Sequence, residues 1–140
     1  MFETILVPTD GSDGAAAAMR QAIDLAATYD ATIDVVHVID TRHYDLSIDS
    51  AREPLARDGE RYVSRLVEMA TDAGVEAEGF VVDGRPGRAI LEFADDHDAD
   101  LVVMGARGRG GLERLLGSTT DYVSKHARIP VQLAPHSDGE

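Results

Sequence analysis

The chain contains no cysteine and no tryptophan, has Lys125 as its single lysine, and draws only 5% of its residues from the aromatics. Without cysteine there is no disulfide framework, no thiolate metal site and no thiol nucleophile. A Walker-type phosphate loop is excluded as well, because Gly117-Ser118-Thr119 has no lysine between its glycine and its hydroxyls. No apolar run approaches the ~20 residues of a membrane span, so no membrane association is expected. The chain opens Met1-Phe2-Glu3-Thr4 and enters an apolar strand at once. That leaves no room for a secretory leader and makes the cytoplasm the expected location. Positive charge is scarce: 13 Lys and Arg stand against 26 Asp and Glu, for a formal net charge of −13. A nucleic-acid partner is not expected, since a phosphate backbone calls for a basic face.

The acidity has a texture of its own. Aspartate outnumbers glutamate 17 to 9, and arginine outnumbers lysine 12 to 1. An ordinary acidic protein needs neither bias. Both fit adaptation to a salty medium, where the screening length falls to ~3 Å at 1 M and self-repulsion costs little.

With 140 residues the chain is expected to form one domain over residues 1–134, followed by a disordered tail over 135–140. Residues 4–8 are a short continuous apolar run, the mark of a strand buried on both faces. A helix is predicted over 13–29, opened by the capping candidate Ser12. A second strand follows at 32–38, then a long polar segment at 41–52. The spacing of Leu55, Tyr62, Leu66 and Met69 predicts a helix over 53–73 that ends at Gly74. A third strand is predicted at 75–82, a helix from the Pro86 turn to about residue 97, and a fourth strand at 101–104. A last helix at 119–127 and a strand at 129–133 complete the pattern. Five strands separated by helices give an α/β, doubly wound parallel sheet of the Rossmann-like or flavodoxin-like kind, strand order 3-2-1-4-5, with helices on both faces.

In such sheets ligands bind beyond the carboxyl ends of the strands, where the strand order reverses. Here the reversal lies between the first and fourth strands, so Pro8-Thr9-Asp10-Gly11-Ser12 would face Gly105 to Gly108. The segment from Gly105 to Ser118 holds five of the 13 glycines and three of the 12 arginines. Glycine lets the backbone approach a phosphate and turn its N–H groups inward, while arginine supplies countercharge. A dinucleotide fingerprint does not fit, because Glu113 stands where its last glycine belongs and the loop follows the wrong strand. A receiver domain would use Asp10 and Asp83 but needs a lysine at the end of the fifth strand, where Gln132, Leu133 and Ala134 stand. His37, among valines, reads as a packed core histidine rather than a ligand or base. Asp10 can equally bond the backbone at the start of the first helix, and Arg85 and Arg88 read as surface residues at a helix start.

Taken in order, Ile5-Leu6-Val7-Pro8-Thr9-Asp10-Gly11-Ser12, Val36-His37-Val38-Ile39-Asp40 and Asp100-Leu101-Val102-Val103-Met104-Gly105 resemble the first, second and fourth strands of the universal stress protein family. The resemblance covers nearly the whole chain. The family's ATP-binding branch carries Gly, two residues, Gly, nine residues, then Gly-Ser or Gly-Thr. Here Gly105-Ala106-Arg107-Gly108 is followed by eight residues before Gly117-Ser118. A tighter path at Gly110-Gly111 would absorb the missing position and leave Gly117-Ser118 in place. Absorbed within a helical turn at 112–116, it would instead rotate the downstream residues by ~100°.

The resemblance implies that Asp10 and Val38 lie against adenine and that Pro8 and Gly105 lie near the ribose. Gly108, Arg109, Gly117, Ser118 and Thr119 would surround the phosphates, with Arg107 adding a charge-assisted contact and Thr9 and Met104 completing the site. Ser118, with Asp121 three residues on, reads as a capping box whose helix points its free N–H groups at the phosphates. No catalytic residue is assigned and no protein metal site is expected; Mg²⁺ or Mn²⁺ would be held by the phosphates of ATP. The reading is a regulatory stress-response protein that binds ATP and turns it over slowly or not at all. The alternative is an interaction module whose shortened loop has lost ATP. A homodimer is expected through Ile129, Val131 and Leu133, a short edge strand that family members pair across a two-fold axis. Gln132 stands in it where an apolar residue is usual.

Overall fold

The first strand, β1 (Thr4–Pro8), is an apolar run whose last four residues are all buried, so it can only be central. The computed structural model describes residues 2–48, 50–106 and 117–135. Among them β1 leads to α1 (Asp13–Tyr29), β2 (Thr32–Asp40), a 3₁₀ turn at Thr41–His43, α2 (Glu53–Asp72) and β3 (Ala77–Gly84). There follow α3 (Pro86–Asp96), β4 (Leu101–Gly105), α4 (Ser118–His126) and β5 (Val131–Ala134). The strands form one sheet in the order β3-β2-β1-β4-β5, with every neighbouring pair parallel, as the alternation of strand and helix predicts.

Side chains alternate across the sheet and build two cores. Ile5, Val7, Ile33, Val35, Leu101 and Val103 pack with Met19 and Ala22 of α1 and with Val63 and Leu66 of α2. Leu6, Val36, Val102 and Met104 pack on the opposite face with Ile90 and Phe93 of α3 and Val123 of α4. Each fully buried Leu, Ile or Val contributes roughly 1.5–3 kcal/mol of apolar burial. The buried stripe of α1 is mostly Gly14, Ala15, Ala18, Ala22 and Ala26, which lets that helix lie close on the central strands.

Several element ends differ from the predicted ones, for local reasons. β3 starts at Ala77 rather than 75, because Val75 donates its N–H to the Ala70 carbonyl at 2.8 Å and closes the end of α2 instead. β2 runs on to Asp40, since Ile39 is buried and the β3 ladder continues through Asp40 opposite Gly84. β5 starts at Val131 rather than 129. Pro130 has no N–H to give, and only its carbonyl joins the ladder, accepting from Val102 N at 3.0 Å. α4 starts at Ser118, which corrects the capping box: Gly117 is the N-cap, no side chain caps it, and Asp121 pairs with Lys125 at 3.1 Å. Ser12 does cap α1, accepting from Ala15 N at 3.2 Å. The expected tail falls, from residue 136 on, outside the described residues.

Candidate functional site

The crevice at the carboxyl ends of β1 and β4 is built first by the five residues after Val7. The chain leaves β1 with Thr9 N donating to the Val36 carbonyl at 2.8 Å, which leaves Thr9 only 6% exposed. Gly11 then takes φ +83°, a left-handed conformation that glycine adopts freely. Two side chains hold the turn. Thr9 Oγ1 accepts from Gly11 N at 3.1 Å, and an Asp10 carboxylate oxygen accepts from Ser12 N at 3.0 Å. Asp10 therefore bonds the backbone at the start of α1.

The other wall is the end of β4. Leu6 pairs with Val102 in the β1–β4 ladder, and β4 runs on through Met104 to Gly105. Gly105 packs directly on the first turn of α1: a Cβ placed on it would stand 2.9 Å from the Gly14 carbonyl carbon. Its carbonyl accepts from Thr120 Oγ1 at 2.9 Å, which ties the first turn of α4 to the end of β4. Gly117 N donates to the Ala106 carbonyl at 3.2 Å. The chain thus leaves β4 and re-enters α4 at one point, so Gly117, the exposed Ser118 and the half-buried Thr119 stand beside Gly105. Arg107, Gly108 and Arg109, with the expected helical turn at 112–116, lie outside the described residues.

Pro8 pairs with Val36, so Val38 lies two residues beyond the end of β1, on the strand that flanks the crevice. Val38 is half-buried against the α3–α4 core, and Met104, 5% exposed, is a member of that core. The structure therefore brings Pro8, Thr9, Asp10, Met104, Gly105, Gly117, Ser118 and Thr119 to one end of the sheet, with Val38 alongside.

His37 is a packed histidine, as its setting among valines predicts. Its Nδ1 lies 2.8 Å from the Thr9 carbonyl, which can only accept, so Nδ1 carries the proton. Its ring meets Tyr62 edge-on, with centroids 5.2 Å apart. Tyr62 in turn covers Gly11, where a Cβ would stand 2.5 Å from its ring. Gly59 makes room for this group, since a Cβ there would stand 2.6 Å from His37 Cδ2. Sequence reasoning places Tyr62 only on a helix stripe. The available signal is Gly59, a glycine inside a helix, which costs roughly 1 kcal/mol against alanine and so marks a close approach.

Asp83, considered above as a receiver-type acid, is instead held by Arg52 through two 2.7 Å bonds and by the Tyr44 hydroxyl at 2.7 Å. These contacts pin the 41–52 segment to the end of β3. The Arg52 guanidinium keeps the Asp83 carboxyl below its ordinary range. At the end of β2 the bonds from Arg42 bring the Asp40 carboxyl down to about 2. Arg85 and Arg88 are exposed at the start of α3, as predicted. No helix among the described residues is long and apolar enough to cross a membrane.

Comparison with known proteins agrees with this architecture. Universal stress protein MJ0531 of Methanocaldococcus jannaschii is 36% identical over 137 residues, covering 94% of this chain and 81% of that protein. The solved structure of hypothetical protein MJ0577, also a universal stress protein of M. jannaschii, superimposes with a TM-score of 0.84 at 28% identity, covering 99% of both chains. The crystal structure of a universal stress protein in complex with cAMP superimposes with a TM-score of 0.76 at 28% identity, covering 97% of this chain and 98% of that one. Residues 1–135 match the sequence profile of the universal stress protein family. On that match, the relatives and the shared five-stranded fold, the chain belongs to the universal stress protein family.

Proposed function

We propose that this chain is a regulatory stress-response protein that binds an adenine nucleotide, ATP foremost, across the crevice between Pro8–Ser12 and Gly105–Thr119. The observation that carries this reading is the closure of β4 onto α4, through the Gly117 N to Ala106 carbonyl bond and the Thr120 to Gly105 clamp. It sets the free N–H groups of the first turn of α4 beside the end of β4, at the reversal of strand order, where they suit a phosphate group. The close seat of Gly105 on Gly14 keeps that edge of the crevice free of a side chain. That a structural neighbour at 28% identity forms a complex with cAMP supports a nucleotide as the ligand. Asp10 and Val38 are assigned to the adenine, Pro8, Thr9, Met104 and Gly105 to the ribose side, and Gly117, Ser118 and Thr119, with Arg107, Gly108 and Arg109, to the phosphates. Mg²⁺ or Mn²⁺ would ride on the phosphates and neutralise part of their charge. ATP would be held and turned over slowly or not at all. The test is to denature protein purified in molar KCl and chromatograph the released small molecules. ATP is expected in the wild type and absent in Gly117→Val with its fold intact; no nucleotide in either would refute the reading.

We further propose that the chain pairs as a homodimer through β5, the edge of the sheet beyond β4. Val131 and Leu133 are half-exposed there, whereas Gln132 bonds Gln21 of α1 at 2.7 Å and so turns toward its own chain. The acidic, lysine-poor surface is assigned to a high-salt setting. Cytoplasmic residence completes the proposal.

A further inference from the structure

A cavity of about 300 Å³ opens on the α2 side of the loop between β1 and α1, whereas Gly105 of β4 packs on Gly14 in the first turn of α1. It is lined by Thr9, Gly11 and Ser12 of the loop and by Arg61, Tyr62, Arg65 and the buried Leu66 of α2. Its volume is about ten times the ~30 Å³ share of one liquid water, ample for a phosphate group. The lining has one chemical sign. Thr9 Oγ1 already accepts from Gly11 N and Ser12 Oγ from Ala15 N, so each hydroxyl keeps its proton for an outside acceptor. Among the described residues Arg61 pairs with Asp58 on its own helix, at an exposed position, and Arg65 has no ion pair or hydrogen bond. No carboxylate is among the described residues that line the cavity, although the chain carries 26 of them against 13 basic residues.

Two arginines at i and i+4 repel each other on a bare helix. Placed one turn apart on the rim of one cavity, they suit a tetrahedral dianion, with Arg65 offering its fork, Arg61 turning to it from Asp58, and the two hydroxyls adding further bonds. We propose that this cavity is a second anion site, on the α2 side of the β1–α1 loop that it shares with the nucleotide crevice, and that it takes the phosphate group of inorganic phosphate or of a small phosphomonoester. The β1–α1 loop would then contribute to both ligands, with Gly11 and Tyr62 on the phosphate side.

The test titrates the full chain with inorganic phosphate, glycerol 3-phosphate and uncharged glycerol at constant ionic strength, following backbone amides by NMR. Saturable shifts are expected at Gly11, Ser12 and residues 61–66 with the two phosphates and none with glycerol. The ratio of the two phosphate affinities says whether the free ion or the ester is preferred. Arg61→Gln with Arg65→Gln should weaken binding roughly tenfold or more, while Arg65→Lys, which keeps the charge but not the fork, falls between. Both positions are exposed, and unchanged shifts elsewhere in the spectrum verify the fold; the single Arg65→Gln carries the test if the double variant does not fold. Absence of saturable shifts, shifts that survive the arginine substitutions, or shifts confined to Gly105 and Thr119 would overturn the site. ATP titrated into the same double variant separates the two proposals. Retained ATP binding beside lost phosphate binding supports a second site, and phosphate binding without ATP binding contradicts only the nucleotide reading.

Discussion

Gly105 at the end of β4 lies so close to Gly14 in the first turn of α1 that a Cβ added to it would stand 2.9 Å from the Gly14 carbonyl carbon. Neither partner is a flexible side chain, so the contact cannot relax cheaply. Gly105→Ala is expected to lower stability by about 1–3 kcal/mol through overpacking. It should also weaken ATP binding, because α1 and β4 together shape the crevice. Urea denaturation measures the first effect and calorimetric titration the second. A Gly105→Ala protein as stable as wild type would contradict the packing described for this edge.

Gly11 and Tyr62 form a second tight pair, and here the partner is a side chain. Gly11→Ala meets two obstacles, a left-handed φ of +83° and the Tyr62 ring at 2.5 Å. Removing the ring with Tyr62→Ala relieves the second and leaves the first. The double variant should therefore be less destabilised than the sum of the singles, by about 0.5 kcal/mol or more. Strict additivity in denaturation of the four proteins would show that the ring does not cover the loop.

Acid should loosen the 41–52 segment before it unfolds the core. The folded Asp83 carboxyl is held below its ordinary 3.8 by Arg52, and Asp40 is brought down to about 2 by Arg42. A depressed carboxyl contributes stability that is fully present above its unfolded value and is lost as pH falls through its folded one. The Asp40 contribution therefore fades between pH 3.8 and about 2, and that of Asp83 fades as pH falls below 3.8. Asp83→Asn should open the segment to proteases already at pH 7, with a shallower loss of stability over that acid window. Equal cleavage rates in the two proteins at pH 7 would contradict the role of Arg52 and Asp83 as its clasp.

If the net charge of −13 reflects a salty medium, dilute buffer should expose the repulsion that salt screens. The circular dichroism melting point is expected to rise steeply from dilute buffer to molar KCl, with loss of fold at the dilute end. A melt unchanged between the two would overturn that reading.

The fold was legible because β1 and β4 are continuous apolar runs and because alternating helices leave few topologies. The ends of elements were less so, each for a reason outside local pattern. Val75 has a strand's chemistry but serves as the plug of α2, and Pro130 delays β5 by withholding an N–H. Ser118 and Asp121 mimic a capping box one position late, because Gly117 already occupies the cap. At the site, the turn chemistry of Thr9 to Ser12 could be read from residue types alone. The approach of Arg61, Tyr62 and Arg65 could not, since it depends on how α2 lies across the sheet. Gly59 was the one trace it left in the sequence.

The most direct test of the central claim is titration of the folded protein with ATP and Mg²⁺ in molar KCl, monitored by calorimetry and by backbone amide shifts. The account expects saturable one-to-one binding, with shifts centred on Thr9, Asp10, Val38, Gly105 and Thr119. A folded protein that gives no heat and no shift at those amides at saturating nucleotide would contradict it.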